Sequence, residues 1–207
     1  MRIIAGIHRG RRLLSPENDA TRPITDRVKQ SLFDVLAPRI EGARVLDLFA
    51  GTGSMGLESL SRGARNAVFF ESDRSAARLL RKNIETLGVA DRSSIISLDL
   101  FKWFGERNSA RHSSVMSAVS RTLADLVFLD PPYRFLTERP ADLRTLAQRL
   151  ATDHLAPDAV VVFRHDAADE LDLPPLQRSD QRSYGSMMIE FLSGNTTSNF
   201  AFKSDER

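Results

Sequence analysis

The 207 residues carry 29 Lys and Arg against 27 Asp and Glu, a formal net charge of +2, with 42% hydrophobic residues and no cysteine. That composition describes one soluble domain with short appendages, without an apolar run long enough to span a membrane. It excludes disulfides, thiolate metal sites and a cysteine nucleophile.

The chain opens Met1-Arg2-Ile3-Ile4-Ala5-Gly6 and turns polar at once, without the apolar stretch of a secretory signal, so a cytoplasmic protein is expected. Arg2, Arg9, Arg11 and Arg12, with His8 among them, precede the first acidic residue. They form either a phosphate-facing patch or a solvated basic arm. Thr25 is placed to cap a helix whose Val28, Leu32, Val35 and Leu36 recur at helical spacing, and Pro38 lies where that helix should stop. From Arg44 the period changes. Arg44 to Phe49 reads as a buried strand, Ser54 to Arg62 as a helix closed by Gly63, and Ala67 to Phe70 as a second strand.

Asp73 to Leu87 follows as a helix with Ala76, Leu80, Ile84 and Leu87 on one face, stopped by Gly88; Ser94 to Leu98 is the third strand. Asp125 to Leu129 is the fourth, Leu143, Leu146 and Leu150 mark a helix, and Ala159 to Phe163 is the fifth strand. Continuous apolar strands separated by amphipathic helices predict a parallel sheet covered on both faces. Two short stretches around Tyr184-Gly185-Ser186 predict an antiparallel hairpin whose second strand is Met187 to Leu192. Glu106 to Thr122 is expected to be a surface insertion, with Val115, Met116 and Val119 able to support a short helix, and Gly194 to Arg207 a disordered tail.

Between the first strand and its helix stands Gly51-Thr52-Gly53-Ser54-Met55-Gly56, which satisfies G-x-G-x-x-G in the context that motif requires. Glu71, ending the next strand about 20 residues after Gly51, occupies the place of a ribose-binding carboxylate, so an adenosine-containing ligand is predicted. The alternative is a tight strand-to-helix turn. Asp47 chooses among adenosine ligands: a pyrophosphate favours a helix N-terminus free of negative charge, whereas the ammonium of a sulfonium amino acid needs an anion. A carboxylate within an apolar strand needs a reason, which is either that ammonium or the backbone amides of the loop. Asp99, ending the third strand, is a candidate partner for the adenine amino group or a helix N-cap.

Asp130-Pro131-Pro132-Tyr133 follows the fourth strand and therefore lies at the same sheet edge as the glycine loop. A base amino nitrogen is a poor nucleophile because its lone pair is delocalised into the ring. A carboxylate and a backbone carbonyl accepting its two hydrogens favour the attacking geometry, roles that suit Asp130 and the carbonyl of Pro131. Pro132 stiffens the turn, and Tyr133 offers an aromatic face for a flipped base. His8, His112, His154 and His165 are scattered without metal-ligand spacing, so no metal is expected, and no serine stands on a nucleophile elbow.

Four stretches taken together resemble the bacterial small-subunit ribosomal RNA guanine-N2 methyltransferases of the RsmD type, from Met1 to about Leu192. They are Arg2 to Gly6 with Arg9-Gly10-Arg11-Arg12-Leu13; Arg22-Pro23-Ile24-Thr25-Asp26-Arg27-Val28 with Leu32-Phe33; Asp47 to Gly53 running to Gly63-Ala64; and Asp130 to Tyr133. The resemblance implies an α/β, Rossmann-like class I methyltransferase fold, with a mostly parallel seven-stranded sheet, a C-terminal antiparallel hairpin and an N-terminal hairpin and helix. Residues 1–40 would form that basic extension, 41–193 the S-adenosylmethionine-dependent domain and 194–207 the tail. Cofactor contacts would come from Arg22, Asp47, Ala50, Gly51, Thr52, Gly53, Glu71 and Asp99, catalysis from Asp130, Pro131, Pro132 and Tyr133, and RNA contacts from Arg9, Arg11 and Arg12. The implied partner is small-subunit ribosomal RNA within a ribonucleoprotein particle, met by a monomer. Three other readings remain open: adenine-N6 methylation of DNA or RNA, a nicotinamide-dependent dehydrogenase, and a noncatalytic RNA-binding assembly factor.

Overall fold

The structure, a computed structural model, describes residues 1–16, 24–105 and 123–194. The insertion expected between Glu106 and Thr122, the tail from 195 onward and Arg22 lie outside the described residues.

Helix α1 spans Asp26–Leu36. The Val28 amide donates to Thr25 Oγ1 at 3.3 Å, the predicted cap, and the helix tightens after Leu36 into a short 3-10 turn that carries Pro38. The alternation then runs β1 (Arg44–Leu48), α2 (Ser54–Ser61), β2 (Asn66–Phe70), α3 (Arg74–Leu87), β3 (Ser93–Ile96), α4 (Leu100–Gly105), β4 (Ala124–Leu129), α5 (Phe135–Glu138), α6 (Pro140–Arg149), β5 (Leu155–Asp166), β6 (Gln177–Tyr184) and β7 (Met187–Ser193). Asp73 accepts from the Ala76 amide to start α3, and Gly88 ends it at φ +66°, a left-handed conformation that costs glycine little. β5 begins four residues before the expected Ala159. Pro157 and Asp158 are exposed there and break the apolar pattern, and the pairing with β4 shifts register between Ala124 and Leu126.

The seven strands lie in the order β3-β2-β1-β4-β5-β7-β6. The first five are parallel, and β7 runs antiparallel to both β5 and β6. The chain winds outward from β1 to β3 and then crosses back to β4 on the other side of β1. That reversal opens a crevice beyond the carboxyl ends of β1 and β4, the usual ligand position in such sheets.

Side chains alternate between two cores. Val45, Leu126, Phe128, Val160 and Val162 face the cluster that includes Leu32, Phe33, Leu57, Leu60 and Leu80 of α1, α2 and α3. Leu46, Leu48, Val127, Leu129, Val161 and Phe163 face the opposite cluster with Leu143, Leu146 and Leu150. The period of two puts Asp47, Asp130 and Arg164 on the α1–α3 side. Three charged residues from three neighbouring strands thereby converge at one edge.

The N-terminal segment folds back as a small hairpin with an isolated bridge between Arg2 and Arg12. Ile3 and Leu13 are buried in the core of the α1–α3 face. The Leu14 amide donates to Asn83 Oδ1 at 2.8 Å, and Asn83 Nδ2 donates to the carbonyl of Thr52 at 3.0 Å, so this hairpin is tied to the glycine loop.

Candidate active site

The glycine loop leaves β1 through Phe49, whose φ of +61° is strained for a residue with a bulky side chain. Gly51 and Gly53 also adopt positive φ, +55° and +86°, but their surroundings differ. A Cβ on Gly53 would stand 2.4 Å from Leu80 Cδ1, and one on Gly56 would stand 2.3 Å from the Phe69 ring, so these two glycines serve helix-to-sheet packing. A Cβ on Gly51 would meet nothing within 4 Å. Of these three glycines only Gly51 faces open space, the cradle a bound ligand would fill.

Glu71 holds this loop from the neighbouring strand. Its Oε2 accepts from the Gly51 amide at 2.7 Å and its Oε1 from the Asp73 amide at 2.7 Å. Burial lifts its pKa above the usual range, and these amides work against that. Asp47 is buried, and its Oδ2 accepts from the Gly56 amide at 2.8 Å. Burial above all raises the Asp47 pKa to about 8; the Gly56 amide opposes, and the charges of Asp130 and Glu71 add to it. Asp99 Oδ1 accepts from the Lys102 amide at 3.0 Å, capping the start of α4.

The tetrapeptide stands across the crevice. Leu48 and Leu129 are paired across β1 and β4, so the glycine loop and Asp130 leave adjacent strands at the same level. The Phe49 and Phe135 rings touch at 6.0 Å, and Phe101 closes a triangle with both. After Pro131 and Pro132 the chain turns directly into α5, with the Phe135 amide donating to the Pro132 carbonyl at 2.8 Å. Asp130 Oδ1 accepts from Arg164 Nε at 2.6 Å. Burial raises the Asp130 pKa, and the Arg164 guanidinium counters it. Tyr133 lies within electrostatic reach of that guanidinium.

Residues 1–193 match the family described as Conserved hypothetical protein 95. A Bacillus subtilis protein provisionally named an rRNA methyltransferase, YlbH, is 34% identical over 84% of this chain and 86% of its own. Ribosomal RNA small subunit methyltransferase D of Haemophilus influenzae is 38% identical over 65% of each chain. The solved structure of Escherichia coli yhhF, provisionally named a methyltransferase, superposes with a TM-score of 0.75 at 31% identity, over 93% of this chain and 96% of that one.

The chain belongs to the RsmD-type methyltransferase family. Its fold is the class I fold of S-adenosylmethionine-dependent enzymes, which removes the dehydrogenase alternative. For an RsmD-type protein the Gly51 cradle suits a ligand approached by backbone, and Glu71, beside it, suits a ribose diol. Two residues expected at the cofactor hold local structure: Asp47 organises the first turn of α2, and Asp99 caps α4. Thr52 and Ala50 are buried in the loop. Arg9, Arg11 and Arg12 stand exposed on the N-terminal hairpin. Sequence reasoning missed Arg164, which resembles the polar end of an apolar strand until the β4-β5 pairing puts it beside Asp130.

Proposed function

We propose that this protein transfers a methyl group from S-adenosylmethionine to the exocyclic N2 amino group of a guanine in small-subunit ribosomal RNA, within a ribonucleoprotein particle. The observation that carries the proposal is the shared rim: the Gly51 cradle and Asp130 leave neighbouring strands at the switch point, and Asp47 and Asp130 sense each other's charge.

Bound S-adenosylmethionine supplies a sulfonium-activated methyl group, the sulfur taking back the bonding pair as a neutral thioether. The chain's own residues do the rest. The Gly51 to Gly53 backbone and Ala50 line the cofactor, Glu71 accepts from the ribose hydroxyls, Asp99 from the adenine amino group, and Asp47 faces the ammonium. Asp130 and the Pro131 carbonyl accept the two hydrogens of the base amine, so that its nitrogen lone pair points at the methyl carbon. As the nitrogen–carbon bond forms, the nitrogen releases one proton, which the Asp130 carboxylate takes. Tyr133 stacks on the base, and Arg9, Arg11 and Arg12 meet RNA phosphates.

Labelled-methyl transfer onto small-subunit particles from cells lacking the gene, followed by digestion to nucleosides, tests this. N2-methylguanosine is expected. Labelled N6-methyladenosine would assign the other amine, and no incorporation by cofactor-saturated protein would point to a noncatalytic assembly factor.

A further inference from the structure

Arg164 is a charged residue kept in an expensive place. Its side chain is only 13% exposed, its Nε is engaged with Asp130, and its buried Nη1 has no hydrogen-bond partner among the described residues. A buried guanidinium with an N–H left over is costly, and an apolar residue at this strand position would pack without that cost. What sets the position apart is its neighbour. β5 pairs with β4 so that Phe163 is level with Leu129, which brings Arg164 level with Asp130 at the crevice edge.

The surrounding charges show what the guanidinium is for. Asp47 on β1 lies within electrostatic reach of Asp130 and of Glu71, the residue after β2, and Tyr133 of the same turn as Asp130 lies within reach of Arg164. His165, the next residue on β5, points to the other side of the sheet, where it meets Glu190 of β7. Asp130 therefore has one acid, Asp47, within electrostatic reach and Arg164 as its one salt-bridge partner among the described residues.

We infer that Arg164 is a positioning residue for the transfer: its grip on Asp130 Oδ1 aims Oδ2 at the incoming amine and holds the carboxyl in its charged form. The inference rests on the amine-transfer reading above, but not on which base carries the amine. An anionic Asp130 both accepts the amine hydrogen and takes the released proton. Transfer is then lost as pH falls through the Asp130 pKa, and removing the guanidinium moves that loss to higher pH.

The test is the pH profile of methyl transfer for wild type, Arg164→Met, Arg164→Lys, Asp130→Asn and the Asp130→Asn/Arg164→Met double variant. Arg164→Met should lower kcat by about 10- to 100-fold at neutral pH, as misplacement of a reacting group does. Its KM for particles should change little, and its acid limb should rise by about one pH unit or more. Arg164→Lys should bring the limb back and recover part of kcat. In the double variant the Arg164 substitution should add nothing, because its target is gone. An unmoved limb, or full additivity with Asp130→Asn, would overturn the role. If Arg164→Met does not fold, as judged by cofactor binding, the Lys variant and Arg164→Gln carry the same comparison. A wild-type protein that transfers no methyl to any base would strike the functional reading itself, whereas a working wild type with an unaffected Arg164→Met strikes only this inference.

Discussion

Two ionic clusters, one buried and one at the crevice, lie on the same face of the sheet and are built in opposite ways. Under the N-terminal hairpin, Glu58 is completely buried and receives four donors: the Ile4 amide at 2.7 Å, the Ala5 amide at 3.0 Å, Lys29 Nζ at 3.1 Å and Arg62 Nε at 2.8 Å. Lys29 spends its remaining hydrogens on the Arg2 carbonyl and Ser54 Oγ. Burial lowers the Lys29 pKa and Glu58 resists that fall. At the crevice, Asp47 lies within electrostatic reach of Glu71 and Asp130, Arg164 pairs with Asp130, and burial pushes the pKa of all three acids upward. A saturated cluster fixes the chain, here two turns of helix and the entering hairpin. An unsaturated one leaves acceptors open, which under the proposed function a cationic cofactor and a base amine would fill.

The widest separation between the clusters should come from Glu58→Ala. It strands the Lys29 ammonium and two amides in the core, and should cost about 3–5 kcal/mol of folding stability. Chemical denaturation reads the loss, together with easier proteolysis of residues 1–16. A loss below about 1 kcal/mol would mean that the hairpin is held by its apolar contacts alone. Asp130→Asn probes the other cluster: its amide oxygen still accepts from Arg164, so it should cost less stability than Glu58→Ala while slowing transfer by roughly 10²- to 10³-fold. Near-normal turnover would remove Asp130 from the chemistry.

Glycine substitutions sharpen the same contrast on a smaller scale. Gly51→Ala puts a methyl group into the open cradle at φ +55°, with a strain of about 1–2 kcal/mol, and should weaken S-adenosylhomocysteine binding in calorimetry more than it weakens folding. Gly56→Ala drives a methyl into the Phe69 ring and should cost about 1–3 kcal/mol of stability. Were both to act equally on binding, the sorting of these glycines into ligand-facing and packing roles would fail.

Much of the crevice was legible because its signals are local. The strand before Gly51, the spacing to Glu71 and the Asp130-Pro131-Pro132-Tyr133 turn each announce themselves within a few residues, and parallel topology brings them to one edge. Lys29 and Arg164 were illegible for a shared reason. A lysine in an amphipathic helix and an arginine at the end of a strand ordinarily point to water. Their burial depends on partners far away in sequence: Glu58 on α2 for Lys29, and Asp130 just after β4 for Arg164. The early start of β5 was hidden by Pro157 and Asp158, residues that normally end a strand rather than occupy its exposed edge.

The smallest expected effect concerns Asp47, whose bond to Gly56 allows a purely architectural role. With its pKa at about 8, the free protein holds Asp47 mostly protonated near neutrality. Because the folded pKa lies above the unfolded one, the stability that this proton confers is full below the ordinary carboxylate pKa and is lost as pH rises through about 8. An ammonium placed beside the carboxyl would pull its pKa down and expel the proton. Binding of S-adenosylmethionine at pH 7 should then release a fraction of a proton, seen as a heat that varies with the ionisation enthalpy of the buffer. Asp47→Asn should abolish the release while keeping the acceptor for Gly56. Binding heats identical in every buffer would instead confine Asp47 to the loop, leaving the ammonium to another group.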